Sequence, residues 1–379
     1  MGEPVVLPKV LPDDIQKLVD AGWRDYTINQ FVSDLVPLKR SLPDIRGDYC
    51  KAQVYKNLPK ASVIIIFHNE AFSMLLRTMH SVLDRAPENL LEEIVLVDDM
   101  SDRDQLQRPL ENYILKYPKV KLIRSPRRQG VMLSRMWGAS NAKGPALVFI
   151  DCHMEVMPGF LEPLLDRIAK NRNSSAIPAI FSLDRETLKF NYNRDPKTFS
   201  RHGFAWNMDH TWIGVPEYER KRHNDLWEPL YSVTMLGAMF SIHKDYFKEL
   251  GMYDPNFDVY GAEDVELSFK VWLCGGILEQ VPCSQVGHMF RRKFFYSFPK
   301  GRGGYRWNTD RLAEVWLGDY KKYYYQSVGD TKRNFGDISE QVELRDKLKC
   351  KPFSWLIENI YPDIPMPEEA STTKATVKT

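Results

Sequence analysis

Asp151 and His153 stand one residue apart at the end of an apolar run, Ala146-Leu147-Val148-Phe149-Ile150. Such a run reads as a buried β-strand. Alternation along extended backbone then puts Asp151 and His153 on one side and Cys152 on the other. A carboxylate and an imidazole side by side at the carboxyl end of a sheet strand offer half a site for a divalent cation. A polar strand end entering a turn has the same pattern, so the pair needs company. Two more strand ends supply it: His68-Asn69-Glu70 after Val63-Ile64-Ile65-Ile66-Phe67, and Asp98-Asp99 after Ile94-Val95-Leu96-Val97. Residues 285–306 add Arg291, Arg292, Lys293, Lys300, Arg302 and Arg306 among glycines and aromatics, which fits an anion-binding flexible loop. Acidic and imidazole ligands facing arginines suit a metal-bound diphosphate. The cation neutralises the leaving group, and the arginines hold the remaining oxygens.

The elements that position these groups are legible in outline. Leu75, Leu76, Met79, Val82 and Leu83 form one face of a helix that stops near Pro87. Residues 120–123 make a shorter strand, and a helix starting near Gly130 carries the chain to the strand before Asp151. Strands alternating with helices at this spacing predict an α/β fold with a largely parallel, doubly wound sheet. In such sheets ligands bind outside the carboxyl ends of the strands. No GxGxxG and no P-loop lysine follow the first strand, so the dinucleotide and NTPase fingerprints are absent. The middle, 171–250, is less regular and aromatic-rich. Core packing is the expectation for most of its aromatics, with some lining a cleft. Asp258-Val259-Tyr260-Gly261 leads into a helix from Ala262 or Glu263 that Gly275-Gly276 ends. Residues 1–60 read as an arm wrapped on the domain, and 363–379 as a disordered tail.

Composition excludes some functions. Lys+Arg of 52 against Asp+Glu of 50 leaves +2 on 379 residues, which gives no global field for nucleic acid or an anionic membrane. The longest aliphatic run, 63–67, is far too short to cross a bilayer. The five cysteines contain no Cys-x-x-Cys pair, which argues against a structural zinc site. They leave open five buried thiols or two disulfides and one free thiol.

From about residue 40 to 362 the chain resembles the polypeptide N-acetylgalactosaminyltransferases, which start mucin-type O-glycosylation. The motifs occur in the family's order: 63–71 (VIIIFHNEA), 93–99 (EIVLVDD), 148–155 (VFIDCHME), 260–269 (YGAEDVELSF), 274–276 (CGG), 282–291 (PCSQVGHMFR) and 350–355 (CKPFSW). The resemblance implies a GT-A fold and retaining transfer of N-acetylgalactosamine from UDP-GalNAc to Ser or Thr hydroxyls of proteins. It implies Mn²⁺ held by Asp151, His153 and His288. It places His68, Asp99, Arg128, Gly130, Arg291 and Tyr296 on the nucleotide sugar, with Tyr260, Glu263 and Asp264 as the catalytic motif. Phe204 and Trp206 fall where the family contacts acceptor peptide. By position it pairs Cys50 with Cys283 and Cys274 with Cys350, and it locates the protein in the Golgi lumen. The domain division it implies is a nucleotide-binding half at 61–170 and an acceptor-binding half at 171–362, with a mobile loop near 289–305. The expectation is a single catalytic domain with neither a C-terminal lectin domain nor a membrane anchor.

The chain also departs from the family. Ile66 replaces a Thr near the uracil, Leu133 an Arg, Cys152 a Ser, and Gly237-Ala238 a Gly-Gly. Tyr260, Ala262 and Asp264 replace the Trp, second Gly and Asn of the catalytic motif. Two readings follow: an active transferase with altered acceptor preference, or a homologue that binds UDP-sugar or a partner without turnover. A cytosolic nucleotidyltransferase shares the metal logic but requires a glycine-rich triphosphate loop that this chain lacks.

Overall fold

The β-branched runs do become the centre of a sheet. The structure, a computed structural model, describes residues 1–291, 303–329 and 333–367. Its first four strands are β1 (Ala61–Phe67), β2 (Leu91–Asp98), β3 (Val120–Arg124) and β4 (Ala146–Asp151). They lie parallel in the order β3-β2-β1-β4. Alternation sorts their side chains to two faces. Ile64, Val95, Val97, Leu147 and Phe149 enter one core. Val63, Ile65, Phe67, Leu96, Val148 and Ile150 enter the other. The helix Gly130–Asn141 crosses the first face closely, and a Cβ on Gly138 would come 2.6 Å from Ile64 Cγ2.

The remaining strands are β5 (Met154–Val156), β6 (Ser174–Leu183), β7 (Phe190–Asn191), β8 (Ser200–Phe204), β9 (His210–Gly214), β10 (Leu230–Tyr231), β11 (Met239–His243) and β12 (Ile277–His288). They make the sheet mixed. β11 runs antiparallel between β4 and β6, and β12 runs parallel to β6. β8 and β9 form a separate hairpin. The irregular middle of the sequence therefore hides a ten-residue strand, β6, whose serines and Pro178 weaken its β signal.

The N-terminal arm is part of the core. It carries helices Asp13–Tyr26, Gln30–Leu35 and Asp48–Ala52. Ile28, Val32 and Leu42 pack with Met74, Met157 and Leu183. Arg40 makes a buried two-pronged pair with Glu155, at 2.6 and 2.8 Å. Cys50 is bonded to Cys283 and Cys274 to Cys350, while Cys152 is a buried thiol. Each bond ties sequence-distant segments together and contributes about 2–4 kcal/mol. Among the described residues no helix is long and apolar enough to cross a membrane.

Candidate active site

The strand order reverses between β1 and β4, and a cavity of about 340 Å³ opens at their carboxyl ends. This is the crevice that an open α/β sheet leaves for a ligand. Register places Ile66 between Asp151 and Val97, so the ends of β1, β2 and β4 converge. His68, Asp99, Arg128, Asp151, His153, Tyr260, Glu263, Asp264, His288 and Arg291 all line this cavity.

Asp151, His153 and His288 offer ligand atoms within 4.8 Å of one another. His288 comes to the set because β12 pairs with β5 and β6 and ends beside them. Its Nε2 stands 3.3 Å from Asp151 Oδ2, and among the described residues neither ring nitrogen makes a well-aligned hydrogen bond. Buried ring nitrogens without aligned partners are costly, and a cation bound between imidazole and carboxylate would satisfy both. The donor set therefore fits a divalent cation of borderline hardness.

Glu70 organises the other side. Its buried carboxylate takes His153 Nδ1 at 3.1 Å and Arg291 Nη2 at 2.6 Å. Burial alone would raise its pKa, but Arg291 and His153 outweigh that and hold Glu70 ionised. A carboxylate on one ring nitrogen orients a ligating histidine through the other.

Cys152 corrects the alternation argument. β4 ends at Asp151, and residues 152–153 turn, so the two-residue period no longer applies. Cys152 Sγ lies 3.2 Å from Glu70 Oε2 and 3.6 Å from His153 Nδ1. Burial, and then Glu70, push its thiol pKa up.

Asp99 closes another side of the cavity. Its two oxygens accept from the N–H groups of Gln129 and Gly130 at 2.8 and 2.9 Å, and it pairs with Arg128. Gly130 therefore acts through its backbone, at φ +85°, and a Cβ there would collide with Val259. His68 Nδ1 is 2.8 Å from the Asp99 carbonyl. Burial, and then Arg128, push His68 down to about 4, so its ring is neutral near pH 7.

The segment 258–264 forms the far wall. Gly261 has φ +103°, and a Cβ on it would meet the Tyr305 ring at 2.1 Å. Ala262 adopts φ 66°, a left-handed conformation that strains an L-residue. Asn308 holds this turn: its Nδ2 lies 2.9–3.1 Å from the carbonyls of Asp258, Tyr260 and Gly261. Glu263 opens the helix Glu263–Leu273 and accepts from the Gly261 N–H at 2.8 Å.

Burial, and then Asp264, push the Glu263 carboxyl up to about 7. A raised carboxylate pKa means that the folded chain binds the extra proton. Stability is thus fullest below the unfolded value of 4.5 and falls as pH rises toward 7. Glu263→Gln is expected to remove this decline, which amounts to about 2–3 kcal/mol. Urea midpoints of both proteins at pH 5 and 8 measure it; parallel midpoints would refute it.

Phe204 is buried among Phe269, Phe353 and Tyr361, and Trp206 stacks on Tyr320 and donates its indole N–H to the Pro365 carbonyl. Neither lines the cavity; both are core aromatics. The basic segment is not one loop. Gln285–His288 end buried β12, and Arg306 sits in the helix Gly304–Trp316, paired with Asp310. Leu133 lies on the helix Gly130–Asn141 and does not line the cavity. Tyr296 and the other positions from 292 to 302 lie outside the described residues, as does the tail from 368.

One residue was missed. Arg135 is buried in the cavity wall with its guanidinium 3.5 Å from Asp151 and 3.7 Å from Glu263. The signal was available: Arg135 is three residues beyond Met132 on the inner stripe of its helix, where an unpartnered charge is not tolerated.

Residues 62–247 match the model of glycosyl transferase family 2. A putative polypeptide N-acetylgalactosaminyltransferase 9 of Drosophila melanogaster is 50% identical over 98% of this chain and 57% of its own length. Polypeptide N-acetylgalactosaminyltransferase 5 of Caenorhabditis elegans is 45% identical over 98% of this chain and 59% of its own. The chain thus spans under two thirds of the length of these curated relatives. The crystal structure of GalNAc-T7 with UDP, GalNAc and Mn²⁺ superposes with a TM-score of 0.90 at 35% identity, covering 96% of this chain and 69% of that one.

Proposed function

This chain belongs to the polypeptide N-acetylgalactosaminyltransferases, and we propose that it transfers N-acetylgalactosamine from UDP-GalNAc to Ser or Thr hydroxyls of proteins. The observation that carries the reading is the cavity itself. It gathers a buried imidazole facing a carboxylate, an arginine poised on Glu70, and a helix-terminal carboxyl at one strand-order reversal. A solved relative at 35% identity was crystallised with UDP, GalNAc and Mn²⁺.

Asp151, His153 and His288 are the residues to hold Mn²⁺. Bound there, the ion would supply Lewis-acid neutralisation of the departing diphosphate. Glu70 keeps His153 in one orientation and Arg291 at the mouth of the ligand set, where its guanidinium would take phosphate oxygens of the donor. Asp99, Arg128 and neutral His68 bind the nucleoside end in the half built from residues 61–170. Tyr260, Glu263 and Asp264 hold the sugar, and the acceptor enters from the half built from 171–362. In transfer, the bond from the anomeric carbon to the β-phosphate oxygen breaks as the Ser or Thr oxygen bonds the same face. The hydroxyl proton passes to the departing phosphate oxygen. The two disulfides favour an oxidising compartment, and the Golgi lumen is the proposed location.

Radiolabelled UDP-GalNAc offered with a panel of Ser/Thr peptides, with Mn²⁺ and with chelator, tests this. Chelator-sensitive label on peptide is expected. UDP binding with no transfer to any peptide would establish the non-turnover reading instead.

A further inference from the structure

Beside the manganese set lies a second donor set that shares His153: Glu70, Cys152 and His153. We propose that it is a thiolate-bearing site for Zn²⁺, whose occupation antagonises the manganese-dependent reaction. Its three edges measure 3.1 Å (Glu70 Oε2 to His153 Nδ1), 3.2 Å (Glu70 Oε2 to Cys152 Sγ) and 3.6 Å (Cys152 Sγ to His153 Nδ1). A tetrahedral zinc with bonds of about 2.0–2.3 Å has ligand–ligand edges of roughly 3.3–3.6 Å, so small shifts suffice. The set departs in chemistry from its neighbour. Asp151, His153 and His288 offer only oxygen and nitrogen, whereas a thiolate selects zinc over manganese. Cys152 is the one cysteine outside the disulfides, and it lines the cavity, so an ion reaches it by the ligand's own route.

Binding replaces the S–H proton of Cys152, which leaves to solvent, with a sulfur–zinc bond. It also claims the Glu70 carboxylate. Arg291, held at 2.6 Å by the other oxygen of that carboxylate, then loses part of the negative charge that pairs it, and His153 loses the hydrogen bond that orients its ring. Both losses fall on groups assigned to the diphosphate and the manganese. The antagonism rests on the transferase reading; zinc binding does not.

Cobalt(II) added to the metal-stripped protein probes the ligand set directly. A thiolate-to-cobalt charge-transfer band in the near ultraviolet is expected, bleached by Zn²⁺ and missing in both Cys152→Ser and Cys152→Ala. No band in the parent protein, or a band surviving in the variants, overturns the site and leaves a thiol that only hydrogen-bonds Glu70. Transfer at saturating Mn²⁺ is then titrated with Zn²⁺, each protein normalised to its own zinc-free rate. Half-inhibition of Cys152→Ser is expected at roughly tenfold or more higher Zn²⁺ than for the parent. Equal sensitivity overturns the antagonism. If no Mn²⁺-dependent transfer exists at all, the transferase reading fails while the cobalt band still decides the site.

Discussion

Asp151→Asn is expected to lower kcat/KM for UDP-GalNAc transfer about 10³-fold, some 4 kcal/mol of transition-state stabilisation. Asp151 is the one anionic member of its ligand set. Burial favours the neutral carboxylic acid, but the two histidines and Arg135 outweigh it and keep Asp151 ionised. Asparagine preserves the shape and removes the charge. It also turns an amide toward His288 Nε2, which faces Asp151 at 3.3 Å. Two imidazoles remain without a carboxylate, a set that binds Mn²⁺ weakly. Two measurements separate metal loss from collapse. Mn²⁺ binding followed by electron paramagnetic resonance should weaken in step with activity, while the thermal midpoint should hold. A variant that kept parental turnover and chelator sensitivity would remove Asp151 from the metal site.

The sequence exposed what adjacency encodes and hid what tertiary pairing creates. β1, β2 and β4 were readable because both faces of each are buried, which gives unbroken apolar runs with polar ends. Asp151 and His153 were readable as a pair because a single strand end carries both. His288 was reachable only through resemblance. β12 is interrupted by Pro282 and by a register shift between Val281 and Gln285, so its end looked like the start of a basic loop. Cys152 was misplaced because alternation was carried one residue past the strand. Phe204 and Trp206 show the converse: the resemblance gave them a role with acceptor, while the packing of both rings among other aromatics was not legible from a motif position. Ala262 reveals what the departure from the family's glycine means locally. The backbone still takes the left-handed turn, now with a methyl group to carry there.

Arg135→Ala is expected to cost about 3–5 kcal/mol of stability, the usual range for removing one partner from a buried charge network. It should also lower kcat/KM by at least about 10²-fold, a loss of some 3 kcal/mol in the transition state. The guanidinium is charged despite its burial, which favours the neutral form, because Tyr253, Asp151 and Glu263 together outweigh that effect. It donates to the Gly237 carbonyl, reaches Tyr253 Oη at 3.5 Å and lies over the Phe240 ring. Alanine leaves an empty volume, an unpaired carbonyl, and two carboxylates without their shared cation. Arg135→Lys restores a point charge without the fork that spans Asp151 and Glu263, so it should recover stability more than rate. One further readout distinguishes a charge bridge from mere packing. Arg135 holds the Glu263 pKa down against burial and Asp264. Removing it should therefore move the pH-dependent loss of stability above pH 7, and Arg135→Lys should largely move it back. If both variants keep the parental pH profile and rate, Arg135 is a space-filling residue and the link between Asp151 and Glu263 does not run through it.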